Sequence, residues 1–218
     1  PVVPSRSPEV FPMLNISTSV VAVPFAPIPI VSSPPVDPAA AIYGAAQILL
    51  PHLERGQRID AATLRTAMEI AFGASDASGA WDWKTAYAAC EAATVLFLRR
   101  YGKALFRKSG SPTAALPLLE RIVDLLPTHT RRSQESEAFQ QFSTPVPLGL
   151  AALTAAAIMP ADRVLEPSAG TGLLAILAEI SGGVLALNEL AQTRAGLLSR
   201  EFPSHASTRR RSALSSIP

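Results

Sequence analysis

A short apolar strand that runs into a carboxylate and then a glycine-rich turn constrains this sequence most. Residues 164–175 read Val-Leu-Glu-Pro-Ser-Ala-Gly-Thr-Gly-Leu-Leu-Ala, so Glu166 stands where the strand ends. Gly170 and Gly172 carry no Cβ, which lets the backbone approach a ligand closely. A helix predicted over Leu173–Ile180 would direct its free N–H groups toward that ligand. The pattern predicts the cofactor-binding corner of a doubly wound α/β domain.

A second strand with its own terminal carboxylate follows. Gly182 and Gly183 form the predicted turn before a strand over Val184–Leu187, and Glu189 lies just beyond that strand. Strand, helix and strand together make a βαβ unit of the expected size. Because each carboxylate ends a neighbouring strand, we expect Glu166 and Glu189 to flank the glycine turn.

Three motifs give the chain a resemblance to a known family. Gln141–Pro145 matches a (Phe/Tyr)-x-Thr-Pro element, Glu166–Gly172 matches an (Asp/Glu)-Pro-x-x-Gly-x-Gly loop, and Leu187–Leu190 matches a strand-end acid. In this order and spacing they resemble the amino-terminal methyltransferase-like part of the large bacterial methylase/helicase proteins, often called strawberry-notch-like. Their methylase motifs belong to adenine-specific DNA methyltransferases. The resemblance is densest over Phe139–Phe202 and extends more loosely back to Ala39.

The resemblance implies both a fold and a cofactor. The fold class is α/β, with a helical N-terminal region followed by a truncated SAM-type (Rossmann-like) doubly wound domain, where SAM is S-adenosyl-L-methionine. In that family the first motif contacts SAM, the glycine loop cradles its methionine part, and the strand-end acid holds the ribose. The implied cofactor-binding residues are Phe142, Thr144, Pro145, Glu166, Pro167, Ala169, Gly170, Gly172 and Glu189.

These residue types suit the chemistry of SAM, which carries an amino-acid moiety, a sulfonium and an adenosine. The carboxylate of Glu166 can face the cationic amino group, and the carboxylate of Glu189 can accept hydrogen bonds from both ribose hydroxyls. The glycine turn lets the cofactor lie against bare backbone.

The implied activity is methylation of DNA at adenine N6 by one module of a longer methylase/helicase protein, with DNA and a C-terminal helicase module as partners. The alternative is a non-catalytic SAM- or nucleic-acid-binding module that accompanies a helicase. The family positions its flipped-out target base with an (Asn/Asp/Ser)-Pro-Pro-aromatic loop. The nearest match, Ser33–Val36, lacks the aromatic residue. We therefore assign no catalytic residue and expect this chain alone to be inactive.

A dinucleotide-binding turn is the main rival for the glycine motif. Gly170–Ala175 also satisfies the G-x-G-x-x-(G/A) pattern, and Glu189 lies near the place of the ribose acid. However, Glu-Pro-Ser-Ala separates the strand from the first glycine, and a buried acid there would repel a pyrophosphate. The Phe142–Pro145 element also has no use in a nicotinamide domain. SAM is therefore preferred over NAD, while an ordinary strand-turn-helix without a ligand stays open.

Composition narrows the class of protein further. The 218 residues carry a net charge of +2 and are 48% hydrophobic, which is typical of soluble, helix-rich chains. The single cysteine, Cys90, excludes an internal disulfide and fits a reducing compartment. The longest apolar candidate, Val146–Met159, is too short to span a membrane. These features predict a cytoplasmic protein without a membrane partner, and three scattered histidines predict no metal site.

Four segments are predicted along the chain. Residues 1–38 hold ten of the twenty prolines and are expected to be disordered. Residues 39–132 form a helical region, residues 133–203 the partial methyltransferase domain, and residues 204–218 a disordered tail. The family pattern calls for a third strand in that tail, but its sequence lacks apolar alternation. Two strands alone do not make a stable parallel sheet with both faces covered.

Capping residues and apolar periodicity place the helices. Asp37, followed by Pro38, and Asp60 are predicted N-caps, whereas Gly56 and Gly73 are predicted helix ends. Further helices are predicted over 83–101, 115–126, 134–140, 147–159 and 191–202.

A local excess of positive charge lies in Arg99–Arg132, which contains eight Lys or Arg residues against two Asp or Glu residues. Such a cluster can contact nucleic-acid phosphates, and the simpler interpretation is a solvated helix surface. The candidate nucleic-acid contacts are Arg99, Arg100, Lys103, Arg107, Lys108, Arg131 and Arg132.

Overall fold

The computed structural model describes residues 36–127 and 143–208, with the backbone alone for 206–208. These residues form an α/β fold in which helices pack with one parallel sheet, and they belong to one compact unit. The elements in chain order are α1 (Pro38–Glu54), α2 (Ala61–Phe72), α3 (Trp83–Ser109), α4 (Pro112–Asp124), α5 (Val146–Ala156), β1 (Arg163–Glu166), α6 (Ala175–Ile180), β2 (Val184–Asn188), α7 (Gln192–Glu201) and β3 (Ala206–Thr208).

The capping residues of the first two helices are confirmed. The Asp37 carboxylate accepts a hydrogen bond from the Ala39 N–H at 3.0 Å. The Asp60 carboxylate accepts one from the Thr63 N–H at 2.8 Å and so caps α2. Gly73 ends α2 in the left-handed region with φ of 68°, a conformation that glycine adopts without steric cost. Local capping therefore sets these helix boundaries.

The central helix α3 joins the helical part to the α/β part. Its first half is buried in a core with α1 and α2. Val95 and Leu98, further along α3, belong to a second core with α4, α5, the sheet and α7. The helix runs past its predicted end at Tyr101 and ends at Gly110, which has a positive φ of 72°. Gly102, inside the helix, packs closely against Ile180.

The first two strands are parallel and match the predicted positions. Arg163 pairs with Val184 and Glu166 pairs with Leu187, so the two strands end together. Leu187 is 1% exposed on the face that packs against the helices, whereas Leu165 is 69% exposed on the opposite face. The described residues therefore cover only one face of this sheet, whereas parallel sheets are normally covered on both faces.

A third strand corrects the prediction for the tail. β3 pairs in parallel with β2, from Ala186↔Ala206 to Asn188↔Thr208, whereas the sequence predicts disorder from residue 204. The missing apolar alternation misleads here, because a short edge strand can pair through backbone hydrogen bonds alone. His205 also accepts a hydrogen bond from the Leu185 N–H, with 3.2 Å between its Nδ1 and that nitrogen. Residues 209–218 lie outside the described residues.

Some helix boundaries differ from the predicted ones. α5 ends at Ala156 because Ala157 turns into the left-handed region with φ of 49°. α6 begins at Ala175 rather than Leu173, since residues 173–174 form a turn. The predicted helix over 134–140 and the proline-rich segment 1–35 lie outside the described residues.

Two leucines in neighbouring strands test whether one face of the sheet is open. Leu187→Ala removes a buried side chain, so we expect it to lower the free energy of unfolding by about 2–5 kcal/mol. Leu165→Ala removes an exposed side chain and should change it by less than about 0.5 kcal/mol. Urea denaturation measures both values. A similar loss at both positions would contradict the open face.

Candidate functional site

The glycine loop, residues 167–172, lies at the carboxyl edge of the sheet. It follows β1 and lies against the end of β2. The Ala169 N–H donates to the Asn188 carbonyl at 2.9 Å, and the Asn188 side-chain amide donates to the Pro167 carbonyl, also at 2.9 Å. Since parallel neighbouring strands end at the same edge, β1 and β2 position this loop directly.

Glu189 holds the glycine loop in place. Its Oε2 accepts a hydrogen bond from the Gly170 N–H at 2.9 Å, and its Oε1 accepts one from the Ala191 N–H at 2.8 Å. The residue is buried, with 7% of its surface exposed. An ionised carboxylate offers about four acceptor positions, so roughly half of them remain for hydroxyl groups of a ligand.

The two loop glycines have different surroundings. A Cβ on Gly170, where φ is 58°, would meet no atom within 4 Å. A Cβ on Gly172, where φ is 83°, would lie 2.5 Å from Cε2 of Phe202. Gly170 therefore leaves open space beside the backbone. At Gly172 the absent side chain makes room for the Phe202 ring.

Glu166 lies between the glycine loop and an apolar groove. Its Oε1 accepts a hydrogen bond from the Ser168 N–H at 3.3 Å. The groove has a volume of about 150 Å³ and is lined by side chains of α5, β1 and α6, among them Leu153, Val164 and Ala178. Small-molecule sites usually measure roughly 300–1,000 Å³, so this groove can receive only part of a ligand.

The remaining predicted cofactor residues lie around this edge. Thr144 and Pro145 are exposed just before α5, Pro167 is exposed, and Ala169 is buried at 7% exposure. Phe142 lies outside the described residues. The Pro145 carbonyl accepts a hydrogen bond from the Gly149 N–H at 3.0 Å, which fixes the first turn of α5.

Glu91 in α3 is a functional candidate that the sequence interpretation missed. Its Oε2 accepts hydrogen bonds from the hydroxyls of Ser143 and Thr171, each at 2.7 Å. Glu91 therefore connects the Ser143–Pro145 element to the glycine loop. One signal for it exists in the sequence: it is the only charged residue from position 86 to position 98, and charged residues are seldom buried without partners.

A second buried carboxyl group lies at the end of α7. Glu201 is 2% exposed, and neither of its carboxyl oxygens has a hydrogen-bond partner among the described residues. Burial raises the pKa of Glu201 well above its ordinary value; the nearby Arg99 cation opposes this effect, and the Glu91 carboxylate adds to it. Glu201 therefore keeps its proton to a higher pH than an exposed glutamate does.

Arg99, a predicted nucleic-acid contact, is paired within the structure. Its guanidinium forms two hydrogen bonds with the Glu179 carboxylate, at 3.1 and 3.0 Å, and lies 4.5 Å from the ring centre of Phe202. The side chain stays 29% exposed. Arg99 therefore joins α3 to α6 and the end of α7.

The other described cations of the predicted nucleic-acid patch lie further along α3. Arg100 is paired with Glu54 at 2.9 Å, although its side chain stays 63% exposed. Lys103, Arg107 and Lys108 are exposed on the last turns of the helix. Arg131 and Arg132 lie outside the described residues.

Comparison with known proteins identified no relative: no family model, no curated protein and no solved structure matches the chain. Among the helices that the structure describes, none is both long and apolar enough to cross a membrane. Residues 36–127 and 143–208 contain no group of three or more His, Cys, Asp or Glu side chains arranged to hold a metal ion.

Glu201→Gln tests the buried acid through the pH dependence of stability. A raised folded-state pKa means that the contribution of Glu201 is fully present below its unfolded pKa of about 4.3 and is lost as the pH rises through the folded-state pKa. We expect the Tm of the wild type to fall from about pH 5 to pH 8, and the fall to be smaller in Glu201→Gln.

At the upper end of that range, Glu201→Gln should be more stable than the wild type, because the amide avoids the cost of burying a charged carboxylate. Glu120→Gln, at an exposed glutamate of α4, is the matched control and should keep the wild-type profile. Thermal denaturation across the pH series provides the measurement. Parallel profiles for Glu201→Gln and the wild type would contradict a buried, protonated Glu201.

Proposed function

We propose that this chain is the SAM-binding part of a DNA methyltransferase that acts at adenine N6 and belongs to a longer methylase/helicase protein. In this proposal, the α/β part is a SAM-type (Rossmann-like) doubly wound domain that is preceded by helices. The hydrogen bond between Glu189 and the Gly170 N–H, at 2.9 Å, is the observation that carries it. This contact joins the strand-end acid to the glycine loop at the edge where ligands of α/β sheets bind.

The residues at this edge fit SAM. Glu189 retains acceptor positions for the ribose hydroxyls, and Gly170 leaves space beside the backbone for the methionine part. The Glu166 carboxylate, partly exposed beside the loop, would pair with the cationic amino group. When bound, SAM would supply a methyl group on a positively charged sulfur.

The same geometry favours SAM over NAD. A pyrophosphate is normally bound by the N–H groups at the start of a helix that follows the glycines directly. Here a turn separates Gly172 from α6, which begins at Ala175 and has six residues. The Glu166 carboxylate beside the loop would also repel two phosphates.

Equilibrium dialysis with labelled SAM and labelled NAD tests the assignment. We expect saturable binding of SAM and no binding of NAD. Binding of NAD without SAM would replace the proposal with a dinucleotide site. Binding of neither ligand would mean that the glycine loop is an ordinary strand-turn-helix connection.

A glycine pair separates an effect on ligand binding from backbone strain. Gly170 and Gly110 both have a positive φ, 58° and 72°, and a Cβ on either one meets open space. Each substitution to alanine should therefore cost about 1–2 kcal/mol of stability. Only Gly170→Ala should also weaken SAM binding, by about tenfold or more. Equal SAM affinities of the two variants in dialysis would place the ligand elsewhere.

The second candidate function is a non-catalytic SAM- or nucleic-acid-binding module that accompanies a helicase. Lys103, Arg107 and Lys108, which are exposed together on the last turns of α3, favour its nucleic-acid-binding form. A methyl-transfer assay on duplex DNA with the longer protein distinguishes the two functions. Transfer favours the enzyme, and SAM binding without transfer favours the module.

A charge-reversal pair tests the DNA contact. Lys103 and Arg107 lie one helical turn apart and are both exposed, so Lys103→Glu/Arg107→Glu should weaken DNA binding. The salt dependence of binding should also become shallower, by about one unit of slope for each phosphate that these cations neutralise in the wild type. Arg121→Glu, at an exposed position on α4, is the control. DNA affinity and slope unchanged in the double variant would remove this part of α3 from the interface.

A further inference from the structure

A single carboxylate oxygen of Glu91, in the helical layer, contacts both segments of the candidate cofactor site, Ser143–Pro145 and the glycine loop. The helical layer consists of α1, α2 and α3. The Ser143 and Thr171 hydroxyls donate to the same atom, Oε2 of Glu91, each at 2.7 Å. These residues are far apart in sequence, by 52 and 80 positions from Glu91 respectively.

The chemistry of this contact makes it stronger than an ordinary polar contact. Hydrogen bonds from hydroxyls to an ionised carboxylate are short and about twice as strong as neutral ones. Glu91 is 8% exposed and Thr171 is 2% exposed, so water cannot readily replace the carboxylate. Removing it would leave the buried Thr171 hydroxyl without this acceptor, which is costly.

The position of Thr171 extends the effect to the whole glycine loop. Thr171 stands between Gly170, whose N–H contacts Glu189, and Gly172, which packs on Phe202. Ser143 directly precedes Thr144 and Pro145 in the other element. Glu91 therefore joins the Ser143–Pro145 segment to the glycine loop.

We infer that Glu91 is a positioning residue for the cofactor site, so that the helical layer is a working part of that site and controls its SAM affinity. This inference rests on the proposed function. Glu91 would not touch the cofactor. It acts through the Ser143 and Thr171 hydroxyls, which hold the glycine loop in the geometry that binds SAM.

Two substitutions at Glu91 test this role. Glu91→Gln keeps an oxygen that can accept both hydroxyls, and it should keep SAM affinity within about threefold of the wild type. Glu91→Leu keeps a similar volume without an acceptor and should weaken SAM binding by about tenfold or more. Affinity is measured by dialysis on the folded protein, with Tm followed in parallel.

Two further variants keep the test decisive. Met68→Ala is the control for a purely structural loss, since Met68 is fully buried in the core of α1, α2 and α3. It should lower Tm but leave the SAM affinity of the folded protein unchanged.

Thr171→Val removes one hydrogen-bond donor to Glu91 with almost no change of shape. It should reduce affinity even if Glu91→Leu fails to fold, and it should have little further effect on a foldable Glu91→Leu background.

The outcomes separate the two proposals. If the wild type does not bind SAM, the proposed function fails and the inference falls with it. If the wild type binds SAM, and Glu91→Leu or Thr171→Val binds it equally well, the positioning role is wrong and the proposed function stands. If Met68→Ala reduces affinity as much as Glu91→Leu, the effect follows stability and Glu91 has no specific role.

Discussion

The Oε2 atom of Glu91 links the helical layer to both segments at the carboxyl edge of the sheet. It receives two hydroxyl hydrogen bonds at 2.7 Å, one from the segment before α5 and one from the glycine loop. The first half of α3 packs with α1 and α2, and its second half packs with the sheet and its helices. A charged group at this junction is tolerated because hydrogen-bond donors satisfy it.

The glycine loop is held from several directions before any ligand binds. Glu189 contacts it at Gly170, Glu91 at Thr171, and the Phe202 ring fills the space beside Gly172. Behind Phe202, Arg99 stacks on the ring and pairs with Glu179. A loop that is rigid in the free protein loses little conformational freedom on binding. The open side of Gly170 is where the proposed function places the ligand.

The sequence predicts what local patterns determine. An apolar run that ends at Glu166 and caps such as Asp37 and Asp60 are local signals, and the structure confirms the strand and both caps. The contacts of Glu91 join residues 52 and 80 positions away, so periodicity could not show them.

Other features depend on partners that only the fold supplies. The Phe202 ring packs where a Cβ of Gly172 would lie, and the glycine motif does not reveal this contact. The bonds of Arg99 to Glu179 likewise join positions far apart in the chain. The third strand pairs with β2 in parallel, although its sequence lacks the apolar alternation on which strand prediction depends.

The most direct test of the central claim is a titration of the ¹⁵N-labelled protein with SAM, followed by the amide resonances of the glycine loop. The account predicts saturable shifts at Gly170 and Ala191, whose N–H groups both contact Glu189, with Gly73 at the end of α2 unchanged. Shifts confined to residues remote from the carboxyl edge of the sheet, or none at saturating SAM, would contradict it.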